Sequence, residues 1–304
     1  NMSKIIYLDR LTKEKKQEKV YGKFFIDLLY KDAFLSRIIS FFILPLISRL
    51  PFFSRLYGFF QKSYMSRYKI IPFIKKFDVD TSEFLEPINH FCSFNDFFIR
   101  RLKPEARPIN QEENRAILPT DARYLVFPDV REFSHFFIKG KKFSLKELLK
   151  NDELANKYQA GSMVIARLCP VDYHRFHFPC RATPGQAQLI NGALFSVNPV
   201  ALKRNIKILS ENKRVITILA TSHFGNLLYI EIGATHVGSI HQTFQADKMY
   251  EKGNEKGYFS FGGSCLILLF EPNRIRFDQD LLESSAQNQE VRGLMGQSLG
   301  SSIH

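Results

Sequence analysis

The sequence predicts an α+β protein in which a helical N-terminal part, residues 1–103, packs on a β-rich C-terminal catalytic domain, residues 104–304. Three observations carry that expectation. Apolar residues recur at helical spacing through Phe24-Phe25-Ile26-Asp27-Leu28-Leu29 and again across residues 88–102. Pro104, Pro108 and Pro119 then break the pattern, because proline lacks the N–H that a continuing helix needs. Beyond them come short apolar runs at 163–168, 215–219, 227–232 and 265–270, divided by glycines and polar turns, with one helix expected over 144–158. No internal repeat and no low-complexity linker divides the chain.

The N-terminal part is set apart by its charge. The chain has 304 residues, enough for a sizeable core, and its 45% apolar and 24% charged content excludes a disordered protein. It holds 30 Phe and no Trp, and its net charge of +13 calls for an anionic partner. Residues 33–77 contain no Asp or Glu, yet carry Arg37, Arg49, Arg55, Lys62, Arg67, Lys69, Lys75 and Lys76 among nine Phe. Such a segment can bury aromatic and aliphatic groups at a lipid boundary while its cations face anionic headgroups. Apolar blocks such as Phe41-Phe42-Ile43-Leu44 are unlike the spaced aromatics on which bases stack, so an anionic phospholipid membrane is favoured over nucleic acid. A buried helical hairpin is the plainer alternative. The longest uncharged run within residues 33–77, residues 38–48, is interrupted by Pro45 and falls short of the ~20 residues that span a bilayer. The expected attachment is therefore peripheral, at the cytoplasmic face of the cell membrane.

The remaining N-terminal and cysteine features agree with a cytoplasmic setting. Met2-Ser3-Lys4-Ile5-Ile6-Tyr7 is charged too early to be expected as a signal peptide. Cys92, Cys169, Cys180 and Cys265 show no paired spacing and are expected as reduced thiols.

Chemistry concentrates in the C-terminal part. Phe261-Gly262-Gly263-Ser264-Cys265 runs directly into the apolar Leu266-Ile267-Leu268-Leu269-Phe270, placing a hydroxyl after two residues that have no Cβ to block approach to the backbone. By itself this reads first as a turn before a strand, and the rest of the sequence has to overturn that reading. Pro170-Val171-Asp172-Tyr173-His174-Arg175-Phe176-His177-Phe178-Pro179 presents two histidines beside an arginine. Leu118-Pro119-Thr120-Asp121 sets a carboxylate in a loop, and Gly233-Ala234-Thr235-His236-Val237-Gly238-Ser239-Ile240 offers small residues after a strand. A zinc site on His174 and His177 lacks cysteine or acidic ligands at the usual offsets, so no metal is expected. A serine hydrolase would need its serine on a strand-to-helix elbow, which Gly-Gly-Ser entering a strand is not.

Five pieces in one order carry a resemblance. They are Ser93-Phe94-Asn95-Asp96-Phe97-Phe98-Ile99-Arg100-Arg101-Leu102-Lys103-Pro104, the Asp-Tyr-His-Arg-Phe-His-Phe-Pro block, Leu194-Phe195-Ser196-Val197-Asn198, Val237-Gly238-Ser239-Ile240, and Phe261-Gly262-Gly263-Ser264. From about Ser93 to Gly300 the sequence resembles the phosphatidylserine decarboxylase proenzymes, which are pyruvoyl enzymes made by self-cleavage. The resemblance implies a cut between Gly263 and Ser264, leaving a β chain of residues 1–263 and an α chain of residues 264–304 whose first residue becomes a covalent pyruvoyl group. That group would form a Schiff base with phosphatidylserine, releasing CO₂ and phosphatidylethanolamine. Motif position implies His177 as the base that activates Ser264, Asp121 as the group orienting it, and His174 as the residue assisting decarboxylation, with exchange of the two histidine roles left open. Asp121 is followed by Ala122-Arg123 where the family commonly has glycine, so the geometry of its loop departs from the pattern. A homodimer is admitted among the partners, although no residue specifies it. Two other functions compete: a pyruvoyl decarboxylase of a soluble amino acid derivative, which has little use for residues 33–77, and a non-enzymatic membrane-binding module.

Overall fold

The apolar runs become the centre of a twisted sheet. The computed structural model describes residues 5–18, 61–133, 143–234, 240–262 and 264–303. Within them the strands are β1 (Ile6–Asp9), β2 (Lys15–Gln17), β3 (Arg115–Ile117), β4 (Ala122–Phe127), β5 (Ser162–Leu168), β6 (Arg175–His177), β7 (Ala182–Pro184), β8 (Gln188–Ile190), β9 (Arg214–Thr221), β10 (Asn226–Gly233), β11 (Ile240–Gln242), β12 (Glu255–Phe259), β13 (Ser264–Phe270), β14 (Ile275–Phe277), β15 (Val291–Gly293) and β16 (Ser298–Ser302). The main sheet runs β2-β1-β15-β4-β5-β13-β10-β9-β7, with β8 also on β9. Its pairs are antiparallel except β1 with β15. Two small sheets, β11-β12-β6 and β14-β16-β3, complete the β structure.

β13 shows why an unbroken apolar run can be a strand. Side chains alternate across a sheet, so a strand covered on both faces needs apolar residues at every position. Cys265, Ile267 and Leu269 enter one core, which includes Leu148, Ala155, Tyr158, Ala201 and Leu209 from the helices Leu145–Leu149, Asp152–Tyr158, Pro199–Arg204 and Ile208–Glu211. Leu266, Leu268 and Phe270 enter the opposite core, with Phe176 of β6, Phe259 of β12 and Leu299 of β16. Each such side chain contributes about 1.5–3 kcal/mol by leaving water.

A third core is built almost wholly of phenylalanine. Ile70, Phe73 and Phe77, spaced along one side of the helix Ile70–Phe77, pack with Phe84, Phe91, Phe94, Phe97, Phe98 and Phe261. The rings meet edge-on or tilted, as at Phe94–Phe261 (5.1 Å) and Phe98–Phe261 (5.0 Å), the arrangement that an aromatic quadrupole favours. Phe261 thereby ties the Gly-Gly-Ser segment to the Ser93–Pro104 motif.

The α+β class and the β-rich body hold, and residues 64–77 are helical, but the start of the chain needs correction. Residues 6–9 and 15–17 are strands on the edge of the main sheet, and Leu8 pairs in parallel with Val291. Four residues are too few to display a period, and the partner strand lies at the other end of the chain. The expected helix over 88–102 shrinks to a 3₁₀ turn, Ile88–His90, and the helix Phe94–Phe98, which starts where the Ser93 side chain accepts from the Asp96 N–H. The helix over 144–158 divides at Lys150, whose φ of 50° is left-handed, and restarts on the Asn151 cap. Residues 19–60 lie outside the described residues, and with them Phe24–Leu29 and most of 33–77; so do 235–239 and Gly263. Among the described residues no helix is long and apolar enough to cross a membrane.

Candidate active site

Ser264 opens β13, opposite Leu168 of β5 on one side and Gly233 of β10 on the other. It therefore stands where β5 runs out into the 169–174 loop. Gly262, two residues earlier, has φ 136°, a conformation that L side chains rarely adopt and glycine permits. Ser264 is wholly buried, and its Oγ has no hydrogen-bond partner among the described residues. An unpaired buried hydroxyl costs on the order of 1–3 kcal/mol, so its retention asks for a chemical reason.

The second orphan is on His174. Its Nε2 lies 2.9 Å from the Cys169 carbonyl oxygen. A carbonyl can only accept, so Nε2 carries the proton and Nδ1 holds the lone pair. Nδ1 is buried and without a partner among the described residues. The ring stacks on Phe98 at 3.9 Å, and burial pushes its pKa down to about 3, so the imidazole is neutral and is a weaker base than a solvated one.

His177, at the end of β6, has the other tautomer. Its Nδ1 donates to the Gly253 carbonyl at 2.9 Å, and its Nε2 accepts from the Tyr173 hydroxyl at 3.0 Å. Burial lowers its pKa as well. The predicted orienting contact from Asp121 is absent. Asp121 Oδ1 accepts from the Met295 N–H at 2.8 Å, and both carboxylate oxygens are held by Arg107, whose Nη2 donates to Oδ2 at 2.7 Å. Arg107 in turn bridges to Glu83. The Asp121 loop nevertheless lies against the histidine strand, since the His177 N–H donates to the Pro119 carbonyl and Thr120 Oγ1 to the Arg175 carbonyl. The fold thus makes the aspartate and the histidine neighbours without joining them, because a buried guanidinium competes more strongly for a carboxylate than a neutral imidazole does.

Two further arginines, absent from the sequence-based site, hold the 169–174 loop. Arg123 pairs with Asp172, which also accepts from the Cys169 N–H at 2.7 Å, so the loop is closed on its own carboxylate. Arg100 donates to the Val171 and Asp172 carbonyls at 3.1 and 3.4 Å. Glu18 enters from the N-terminal edge beside Arg123 and Arg167, and those cations hold its pKa down to about 2 against the effect of burial. No signal in the sequence pairs Arg123 with Asp172, which lie 49 residues apart and meet only in the fold.

Among the described residues no group of three or more His, Cys, Asp or Glu is arranged to hold a metal ion. The family model for phosphatidylserine decarboxylase matches residues 94–301. The chain is 54% identical over 242 residues to the phosphatidylserine decarboxylase proenzyme of Chlamydia pneumoniae, covering 80% of each chain. It is 54% identical over 240 residues to the proenzyme of Chlamydia muridarum, covering 79% of this chain and 80% of the relative. With that of Chlamydia caviae it shares 53% over 243 residues, covering 80% and 81%.

Proposed function

Because this chain belongs to the phosphatidylserine decarboxylase family, we propose that it is a phosphatidylserine decarboxylase that cuts itself between Gly263 and Ser264 to become active. The carrying observation is Ser264 itself: a buried hydroxyl without a partner among the described residues, at the head of a strand and two residues after Gly262, which is in a positive-φ conformation. In this reading Ser264 Oγ attacks the Gly263 carbonyl and yields its proton to an imidazole, turning the amide into an ester. Loss of the Ser264 Cα proton then breaks the Cβ–O bond, freeing residues 1–263 with a carboxylate end. Water adds to the dehydroalanine left on residue 264, ammonia departs, and a pyruvoyl end remains.

Residue 264 fits as the source of that group, being enclosed, with its Oγ unpartnered among the described residues, and held by strands on both sides. The pyruvoyl group supplies a carbonyl that captures the substrate amine and accepts the electrons released as CO₂ leaves. The chain's own residues manage protons around it. His177 is proposed as the base for the cut, with Tyr173 yielding its hold on Nε2, and His174 as the residue that serves decarboxylation. The unengaged Nδ1 of His174 supports the exchanged assignment as the second reading. Intact mass and denaturing electrophoresis test both. The wild-type chain is expected to split after Gly263 and to release CO₂ from phosphatidylserine vesicles. His177→Ala is expected to stay whole, and His174→Ala to split but release CO₂ at least about 100-fold more slowly, the size of a lost acid–base group. The opposite pattern exchanges the roles, and a folded wild-type chain that never splits overturns the function.

Substrate acyl chains leave a bilayer at ~0.8 kcal/mol per CH₂, so an enzyme of this kind gains by going to the membrane. We assign that attachment to the N-terminal region up to residue 103, excluding the strands at 6–17, and expect it on the cytoplasmic face. The described end of the basic segment supports this. Tyr64, Met65, Tyr68 and Ile71 are exposed beside Lys62, Arg67, Lys69, Lys75 and Lys76, while Ile70, Phe73 and Phe77 are buried beneath them. Flotation with vesicles containing phosphatidylserine checks it. Changing Lys69, Lys75 and Lys76 together to Gln is expected to weaken binding about 100-fold at low salt, at ~1 kcal/mol per cation. Unchanged flotation assigns attachment elsewhere.

A further inference from the structure

The face of β10 that looks toward the histidines carries a charge in an otherwise apolar strand. Directly opposed residues in a sheet share a face, so Gly233 lies with Ser264, and alternation puts Glu231 and Tyr229 on that same face. Tyr229 donates its hydroxyl to the His177 carbonyl at 3.1 Å. Between that anchor and the Ser264 partner stands Glu231, ion-paired with Lys256 of β12, and both side chains are 0% exposed.

Lys256 joins two layers. Its ammonium group donates to Glu231 of β10, to Thr217 of β9 at 3.2 Å and to Gln242 of β11 at 2.8 Å, and it lies over the Tyr229 ring at 4.6 Å. The first two partners belong to the main sheet, which carries Ser264. The last belongs to the small sheet, whose β12 pairs with β6 of His177 and gives its Phe259 N–H to the His174 carbonyl at 3.0 Å. The Gln242 side chain also lies at hydrogen-bonding range of the Glu231 carboxylate, so the pair sits in a small polar cluster closed off from water. A buried ion pair of that kind contributes little to stability compared with well-packed apolar residues, and its best-attested use is to specify one arrangement over others.

We propose that Lys256 and Glu231 are positioning residues that lock the histidine-bearing sheet in register over the Ser264 end of the main sheet. Neither touches the reacting atoms. Their effect is on alignment, where a shift of about 1 Å can cost 100-fold in rate. The proposal rests on the decarboxylase reading, and wild-type splitting and CO₂ release are measured alongside so that failure of that reading shows first in the parent protein.

The test compares Lys256→Met/Glu231→Leu, an apolar pair of similar bulk, with Glu231→Gln, which keeps shape and an acceptor for Lys256. The double variant is expected to match or exceed the wild-type melting temperature while splitting at least about 10-fold more slowly. Once split, it should show a kcat lowered about 10- to 100-fold with KM within about twofold. Glu231→Gln, which keeps its volume but leaves the Lys256 ammonium without its counter-charge, is compared at matched folded fraction and should show the same kcat-weighted loss at about three- to tenfold; it decides the matter if the double variant does not fold. Wild-type splitting and kcat in Glu231→Gln, or in a folded double variant, overturn the proposal and leave the pair a structural one.

Discussion

Ser264→Ala is expected to leave a single uncut chain of 304 residues that releases no CO₂ from phosphatidylserine. The reasoning separates chemistry from folding. Ser264 Oγ makes no hydrogen bond among the described residues, so its removal takes no interaction away and relieves one buried polar atom. Alanine can keep the β13 register opposite Leu168 and Gly233 unchanged. Stability should therefore stay within about 1 kcal/mol of the parent or rise slightly, while the cut and the activity are both lost. Intact mass, urea unfolding and a CO₂-release assay on one preparation check all three. A variant that still splits at residue 264, or that loses its fold, contradicts the role given to the hydroxyl. Ser264→Cys is the informative companion, because a thiol retains a nucleophile but places it in surroundings that raise thiol pKa values, as burial does to about 12 at the adjacent Cys265.

Asp172→Ala should produce the largest loss of stability among substitutions near the site. Its carboxylate and the Arg123 guanidinium are each almost wholly buried, at 1% and 3% side-chain exposure. Removing one member leaves the other charge in a poorly solvating interior, a change that typically costs ~3–5 kcal/mol against a total stability of about 5–15 kcal/mol. The same substitution removes the acceptor for the Cys169 N–H, and Cys169 is the residue whose carbonyl sets the His174 tautomer. Destabilisation and loss of activity should therefore travel together. Urea midpoints compared with splitting rates at matched folded fraction distinguish the two contributions. A midpoint within experimental error of the parent would mean that Arg123 is adequately held by Glu18 alone.

Some of this architecture was legible before any coordinates. The runs at 163–168, 215–219, 227–232 and 265–270 became β5, β9, β10 and β13 with each end moved by at most two residues, because strands buried on both faces must be apolar throughout. Ser264, His174 and His177 were singled out by the order of their motifs, and the fold sets Ser264 on the strand next to β5, from which the loop to the histidines leaves. The contacts were not. Asp121 was expected on His177, yet Arg107 holds it, and nothing in the spacing of residues 107 and 121 distinguishes an arginine that points inward from one in solvent. Glu231 and Lys256 left a faint trace as charges beside apolar strand residues, but an isolated charge does not name its partner. The β1–β2 edge was read as part of a helical region because its pairing with β15 joins opposite ends of the chain.

What the sequence determined by itself was the set of groups and the order in which the chain meets them: an α+β class, a cationic aromatic segment, and a Gly-Gly-Ser before a strand with two histidines upstream. Periodicity and motif order are properties of the chain, and they survive without a fold. The tertiary structure alone decided which groups are desolvated, which tautomer each histidine takes and which arginine holds which carboxylate. Those outcomes depend on distances across strands and on the exclusion of water, and neither quantity exists until the sheet has closed over Ser264.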